Sequence, residues 1–329
     1  MKASHVALLS LLLALSLVPV AKAQGQWTDK SPHKTEFITA NSVKLHYLDW
    51  GGNGETVLFL HGLGDTPHIF DDLAPKFTNQ FRVLGLTRRG HGQSEKPETG
   101  YDTATLVEDI GQFLDALKIE RAVLVGHSLA GDELTRFAGE HPDRVIKLVY
   151  LDAAMDRARL SEIHQQSPPE LSPTKNDMES LDSFRRWVSR LSFWSGAWEA
   201  NLHEMMVFSA DGKILREAMP GKVSRLLMQG SIDSHPGYSK IRAPALNIAA
   251  VGVSPKVSEV IKALPDSAKA KAEDYLRTRR QYQQEELERF RKHIPNGTVL
   301  ELPDTDHHCF IQREDEVVRE MRTFLAKGD

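Results

Sequence analysis

Val123-Leu124-Val125-Gly126-His127-Ser128-Leu129-Ala130-Gly131 decides the fold. Its apolar start, from Ala122 to Val125, reads as a strand covered on both faces. The chain then turns on a serine set between small residues and continues into Ala130–His141, whose pattern is helical. A strand that enters a tight turn at a serine and leaves as a helix is a nucleophile elbow. Gly126 and Ala130 are small because strand and helix approach closely there. The turn lifts the Ser128 hydroxyl above the sheet edge and leaves the Leu129 amide free to meet a developing oxyanion.

Outward from the elbow, the same grammar repeats. Val43–Leu48 alternates and ends in a Gly-rich turn, Trp50-Gly51-Gly52-Asn53-Gly54. Thr56–Leu60, Phe81–Leu86 and Val145–Leu151 are apolar strand runs, with a helical pattern at Thr103–Leu117. Strand and helix in alternation predict an α/β protein, a mostly parallel central sheet with helices on both faces. Near Ala158 the character changes. Ser167-Pro168-Pro169 and Ser172-Pro173 mark irregular connections, and Leu181–Phe208 is rich in helix formers and carries Trp187, Trp194 and Trp198. Residues 158–238 therefore read as a helical cap inserted between core segments 24–157 and 239–329. The three tryptophans either pack the cap onto the core or line a cavity. The core resumes at Ala243–Ile248. The charged stretch Ala268–Lys292 reads as a solvated helix face, Thr298–Leu302 as a last strand and Glu314–Leu325 as a terminal amphipathic helix.

Two further segments end on strands beside the elbow. Leu58-Phe59-Leu60-His61-Gly62-Leu63-Gly64 closes in a glycine-rich loop whose backbone amide, that of Leu63, points at the same oxyanion position. His61 supports this loop rather than reacting. Thr87-Arg88-Arg89-Gly90-His91-Gly92-Gln93-Ser94 is a structural turn. A serine needs a base. Among 14 histidines, position selects Leu302-Pro303-Asp304-Thr305-Asp306-His307-His308, which follows the last strand and precedes the terminal helix. The order serine first, histidine last is that of proteins with this elbow. His307 is the candidate base and the adjacent His308 its rival.

These motifs resemble the α/β-hydrolase superfamily, in the branch with an H-G-x-G loop and a G-H-S-x-x-G elbow, over about Lys44–Asp152 and Ile241–Leu325. Ala130 replaces the commoner glycine. The resemblance implies an acidic segment and a valine after the base, and Glu314, Glu316 and Val317 fit when counted from His307. It also implies a triad acid just after Ala245–Ile248, where this chain has Ala249-Ala250-Val251-Gly252-Val253-Ser254-Pro255 and no carboxylate. A second placement known in the superfamily falls on Asp152, whose role would be to hold the His307 tautomer. Glu259 and Asp266 are the other candidates, and a chain without an acid stays open.

A serine nucleophile disfavours the epoxide-hydrolase and haloalkane-dehalogenase chemistries of the superfamily, whose elbow carries aspartate. The implied activity is a serine hydrolase acting on a carboxylic ester of a small molecule through an acyl-enzyme. A carbon–carbon bond hydrolase with the same residues, or a ligand-binding receptor on this scaffold, is the alternative. No cofactor is expected. His307-His308 with Asp304 and Asp306 lack the H-E-x-x-H spacing of a helical metal site, so no metal is expected either.

The whole chain sets bounds. Its 329 residues carry a formal net charge of -4, without the basic excess that a nucleic-acid partner needs. The one cysteine, Cys309, allows no internal disulfide, so stability must come from the core. Lys2, the apolar run Val6–Val20 and Ala21-Lys22-Ala23 form a secretory signal peptide pattern over residues 1–23, too short in its apolar run to span a bilayer. The expectation is a mature chain from Gln24, secreted or periplasmic and without a stable membrane anchor.

Overall fold

The computed structural model describes residues 27–294 and 296–327; the stretch read as a signal peptide lies outside them. The core is an eight-stranded sheet. Its strands are β1 (Lys34–Ala40), β2 (Val43–Gly51), β3 (Thr56–Leu60), β4 (Arg82–Leu86), β5 (Ala122–His127) and β6 (Val145–Leu151), and, beyond an insertion carrying β7 (Met206–Phe208) and β8 (Ile214–Glu217), β9 (Ala245–Val251) and β10 (Gly297–Pro303). The spatial order is β1-β2-β4-β3-β5-β6-β9-β10. From β4 to β10 all neighbours are parallel, while β2 is antiparallel to both β1 and β4.

The apolar strand runs alternate between two cores. In β5, Val123 and Val125 face one core and Ala122 and Leu124 the other; in β3, Val57 and Phe59 oppose Leu58 and Leu60. This is the period-two geometry of a strand covered on both sides. One face is covered by α1 (Thr103–Ala116) and α2 (Ala130–Glu140), through Phe113, Leu134 and Phe137. The other is covered by the terminal helix, through Val317, Met321 and Phe324.

Two insertions sit above the carboxyl ends of the parallel strands. The first carries α3 (Arg157–His164), α4 (Leu181–Leu191), α5 (Gly196–Met205) and α6 (Gly221–Ile232), and is not purely helical, since β7 and β8 pair as an antiparallel hairpin. The second follows β9 and contains α7 (Pro255–Lys262) and the long α8 (Asp266–His293). After β10 come the one-turn α9 (Cys309–Gln312) and the terminal α10 (Glu314–Ala326). Reading 268–292 as a solvated face needs correction. Tyr275, Leu276, Tyr282, Leu287 and Phe290 form a buried stripe on α8. With Leu160, Ile163 and Ile261 its upper part closes a third apolar cluster over the sheet.

Register brings the site loops together. Leu60 lies opposite Gly126, His127 opposite Leu151, and Leu151 opposite Ile248. The loops starting at His61, Ser128 and Asp152 therefore emerge side by side next to the end of β9, at the carboxyl edge where open α/β sheets place their sites.

Candidate active site

Ser128 sits at the apex of a backbone the neighbours enforce. Its φ is +52°, in the left-handed region that non-glycine residues seldom occupy. The turn is closed by Gly131 N donating to Ser128 O at 2.9 Å and Ser128 N donating to Leu151 O at 3.3 Å. The small residues have steric reasons. A Cβ at Gly131 would lie 2.0 Å from the Ala153 carbonyl oxygen, and one at Gly126 2.7 Å from Leu134 and 3.1 Å from the Ala130 Cβ. The absence of a Cβ at Gly126 thus leaves room for the alanine at 130.

The H-G-x-G loop packs against this turn. A Cβ on Gly62 would stand 3.1 Å from the Ser128 Cβ. Among the described residues, neither the Leu63 nor the Leu129 N–H has a protein acceptor. His61 is fully buried; one ring nitrogen, Nδ1, donates to Gly62 O at 2.8 Å and the other accepts from Arg88 N at 3.1 Å. Burial and the Arg88 charge hold it well below the ordinary imidazole range. His61 is thereby spent on shaping the loop. The Thr87–Ser94 turn does the same: Arg88 pairs with Glu133 at 2.6 Å, and Gly64 N donates to His91 Nε2 at 3.2 Å.

His307 meets Asp152. Its Nδ1 lies 2.6 Å from Asp152 Oδ2, and the other carboxylate oxygen accepts from Ala250 N at 3.1 Å. Asp152 is held at φ +44°, its own N–H donating to Ile248 O at 2.7 Å. Burial opposes its charge, but the bond from His307 and that ring's field outweigh it, leaving the carboxyl below its usual range. His307 moves the same way for a different reason. Burial lowers it, the Asp152 bond and charge raise it, His308 and Arg279 lower it again, and the net is below an ordinary imidazole. Its ring is neutral at pH 7, with Nδ1–H donating to Asp152 and Nε2 bare.

The rival carboxylates lie apart, and the rival base, though it lines the same space as Ser128, turns toward another acid. Glu259 is exposed on α7 and pairs with Lys262, and Asp266 is exposed at the start of α8. His308 Nε2 faces Asp65 at 3.6 Å, and its ring lies 4.6 Å from that of Trp198.

Residue-type reasoning missed Asp65. It is buried, accepts from Asn201 Nδ2 at 3.0 Å, and stands 3.6 Å from both His308 Nε2 and His127 Nδ1. The His127 ring, pushed down to about 3 chiefly by burial, gives its Nε2 proton to the His307 carbonyl at 3.1 Å. Its Nδ1 is then a bare acceptor, and like His308 Nε2 it lies at ion-pair but not hydrogen-bond distance from Asp65. Asp65 ties together the H-G-x-G loop, the base loop and, through Asn201, the cap. Asp65, His127 and His308 also have ligand-type atoms within 4.8 Å of one another, as do Asp29, His33, His68 and Asp71. In the second group the imidazoles stand at ion-pair distance from carboxylates, His68 from Asp71 and His33 from Asp29, each at 2.8 Å.

Ser128, Asp152 and His307 line one cavity of about 540 Å³. Its walls come from α3, α7 and α8 as well as from the sheet edge, with Leu160, Val257, Tyr275 and Leu276 on the apolar side. None of the three cap tryptophans lines it. Trp198 is buried in the main core and Trp187 and Trp194 pack against it, the first of the two roles their sequence context allowed.

Comparison with known proteins places this fold in a family. Residues 55–246 match the alpha/beta hydrolase fold family, and the chain belongs to it. Among its relatives, 2-(acetamidomethylene)succinate hydrolase of Mesorhizobium japonicum is 36% identical over 101 residues, 31% of this chain and 36% of that one. Non-heme chloroperoxidase of Streptomyces lividans is 36% identical over 118 residues, 35% of this chain and 43% of that one. The chain thus spans less than half the length of these relatives. Solved structures share the fold over most of the chain. E-2-(acetamidomethylene)succinate hydrolase covers 90% of this chain and 100% of its own, with a TM-score of 0.68 at 19% identity. The enol-lactonase from Burkholderia xenovorans covers 89% and 100%, with a TM-score of 0.58 at 20% identity. Among the described residues no helix is long and apolar enough to cross a membrane.

Proposed function

We propose that the protein is a serine hydrolase that cleaves a carboxylic ester of a small molecule through an acyl-enzyme. The observation that carries this reading is the 2.6 Å contact between His307 Nδ1 and Asp152 Oδ2 beside a serine held at φ +52° on the same cavity. Ser128 Oγ attacks the carbonyl carbon and its proton passes to His307 Nε2. Asp152 fixes the tautomer and stabilises the imidazolium that forms. The Leu63 and Leu129 amides receive the oxyanion. His307 then protonates the leaving alcohol, and water enters by the same route in reverse to free the acid. The receptor alternative arose from the missing carboxylate after Ile248; Asp152 takes that place on the histidine, so the reason for it falls away. The relatives named as a hydrolase and an enol-lactonase agree with an acyl substrate.

The test is a short-chain p-nitrophenyl ester. Ser128→Ala should lower turnover by at least about 10⁴-fold with the fold intact by circular dichroism. Cleavage by the variant at the wild-type rate would remove Ser128 and the whole scheme.

We also propose export, on the strength of Lys2, Val6–Val20 and Ala21-Lys22-Ala23. Protein recovered from outside the cytoplasm should begin at Gln24; an intact Met1 there would refute cleavage.

A further inference from the structure

The cavity wall contributed by α8 runs along one face of the helix from Tyr275 to Leu287, through Leu276, Arg279, Tyr282, Gln283 and Glu286. Two of these side chains are charged, and they are not equivalent. Glu286 is buried and engaged, accepting from Asp156 N at 3.0 Å and lying 3.4 Å from Arg289. Arg279 has no such partner. Among the described residues no carboxylate approaches its guanidinium within ion-pair distance, and no acceptor takes a hydrogen bond from it. The other cavity arginine, Arg157, is 3.4 Å from Asp132. Of the other titratable groups facing this space, His308 points its Nε2 at Asp65, 3.6 Å away, and Tyr282 donates to the Asp156 carbonyl. Asp152 holds His307, Asp306 accepts from Ser192 Oγ at 2.7 Å, and His164 is lowered to about 4 by burial, Arg279 and Arg157.

A guanidinium half-buried against an apolar wall is costly without a counter-charge. The Asp152 charge is felt there but is already bonded to His307, and no described carboxylate pairs with Arg279, whose planar fork is suited to one. We infer that Arg279 is a specificity-determining residue that binds a carboxylate carried by the substrate at the end remote from the scissile ester. This deepens the hydrolase reading and rests on it. The substrate class is then a monoester, or an equivalent acyl derivative, of a compound that keeps a free acid group.

The position of Arg279 has a second consequence. Its charge is felt at both members of the pair, opposing protonation of His307 and favouring the ionised Asp152. The scheme above requires His307 to become an imidazolium in the transition state. A substrate carboxylate seated on Arg279 cancels that opposition at the moment the ring takes up its proton. A neutral ester leaves the cation uncompensated.

The experiment compares mono-p-nitrophenyl adipate with p-nitrophenyl hexanoate, which differ at the far end by a carboxylate in place of a methyl. It is run on the mature chain and on Arg279→Met and Arg279→Lys. The wild type should prefer the adipate ester. Arg279→Met should lower the adipate-to-hexanoate ratio of kcat/KM by about 10- to 100-fold, the worth of a hydrogen bond to a charged group, with Arg279→Lys between. Arg279→Met should also move the acid limb of the hexanoate pH profile upward, because a cation near His307 has gone. A merely structural arginine would lower both esters together and leave the limb in place. An unchanged ratio overturns the proposal. If the wild type cleaves neither ester, the hydrolase reading fails. Adipate binding by calorimetry, present in the wild type and lost in Arg279→Met, then upholds the anion site, and equal binding by both sinks it.

Discussion

The floor and the roof of the cavity are built under opposite constraints. On the floor, backbone meets backbone. Gly131 faces the Ala153 carbonyl with no space for a methyl, Ser128 and Asp152 both hold positive φ, and parallel strands set the loops level with one another. On the roof, α3, α7 and α8 pack side chain against side chain over a small cluster that includes Leu276 and Tyr282, and α8 reaches the backbone at the start of α3 through Tyr282 and Glu286. A floor of that kind tolerates few residue types at each position; a roof of that kind tolerates many. The floor can therefore fix a reaction, and the roof can be altered to choose what reacts.

The comparison is broken most directly at Asp152. Asp152→Asn keeps the shape of the floor and removes the charge that orients His307. Turnover should fall by about 10⁴-fold, the scale on which a wrong tautomer acts in such triads. The pH dependence gives a second reading with a definite sign. His307 is a base only when neutral, so wild-type kcat/KM should fall as pH drops through a midpoint below the ordinary value of 6.5, given its lowered pKa. Losing Asp152 removes an influence that raises the ring, so the residual activity of Asp152→Asn should persist to lower pH still. A wild-type rate in this variant would detach Asp152 from the chemistry and return the acid to an unidentified group.

The same contrast explains what could be read from the residues in order. Ser128 was legible because strand, small residues, serine and helix are consecutive and each answers to a local steric need. His307 was legible because it follows the last strand. Asp152 could be named only through resemblance, because an aspartate after a strand carries no local mark of its partner 155 residues away. Asp65 and Arg279 were not legible. The first matters through Asn201, His127 and His308, which register and the cap bring to it. The second is one of several arginines on a helix dense in charge, and only the stripe from Tyr275 to Phe290 separates it from its solvated neighbours. That stripe is present in the sequence at helical spacing, but charged residues at the intervening positions dilute it, and a charged run is more often a solvated face. The hairpin of β7 and β8 escaped for another reason: three and four residues are too few for a period to show.

The smallest effect sharpens the contrast most, because it compares the same substitution in both places. Leu124 is fully buried in β5, between the helices of one face and the neighbouring strands. Leu124→Ala should cost about 2–5 kcal/mol, since the lost contacts are compounded by a void that a packed sheet cannot close. Leu276 is also buried, but one side of it already borders the cavity. Truncating it enlarges an existing space that water or substrate can enter, so the cavity penalty is largely absent and about 1–2 kcal/mol of transfer free energy remains. Urea unfolding of both variants measures the difference. The activity assay should rank them the other way. Leu124→Ala, once folded, leaves the loops above the strand ends in register and the ester preference unchanged. Leu276→Ala lengthens the apolar wall and shifts preference toward longer acyl chains. Equal stability losses would mean that α8 is packed as tightly as the sheet, and the roof would then be as constrained as the floor it covers.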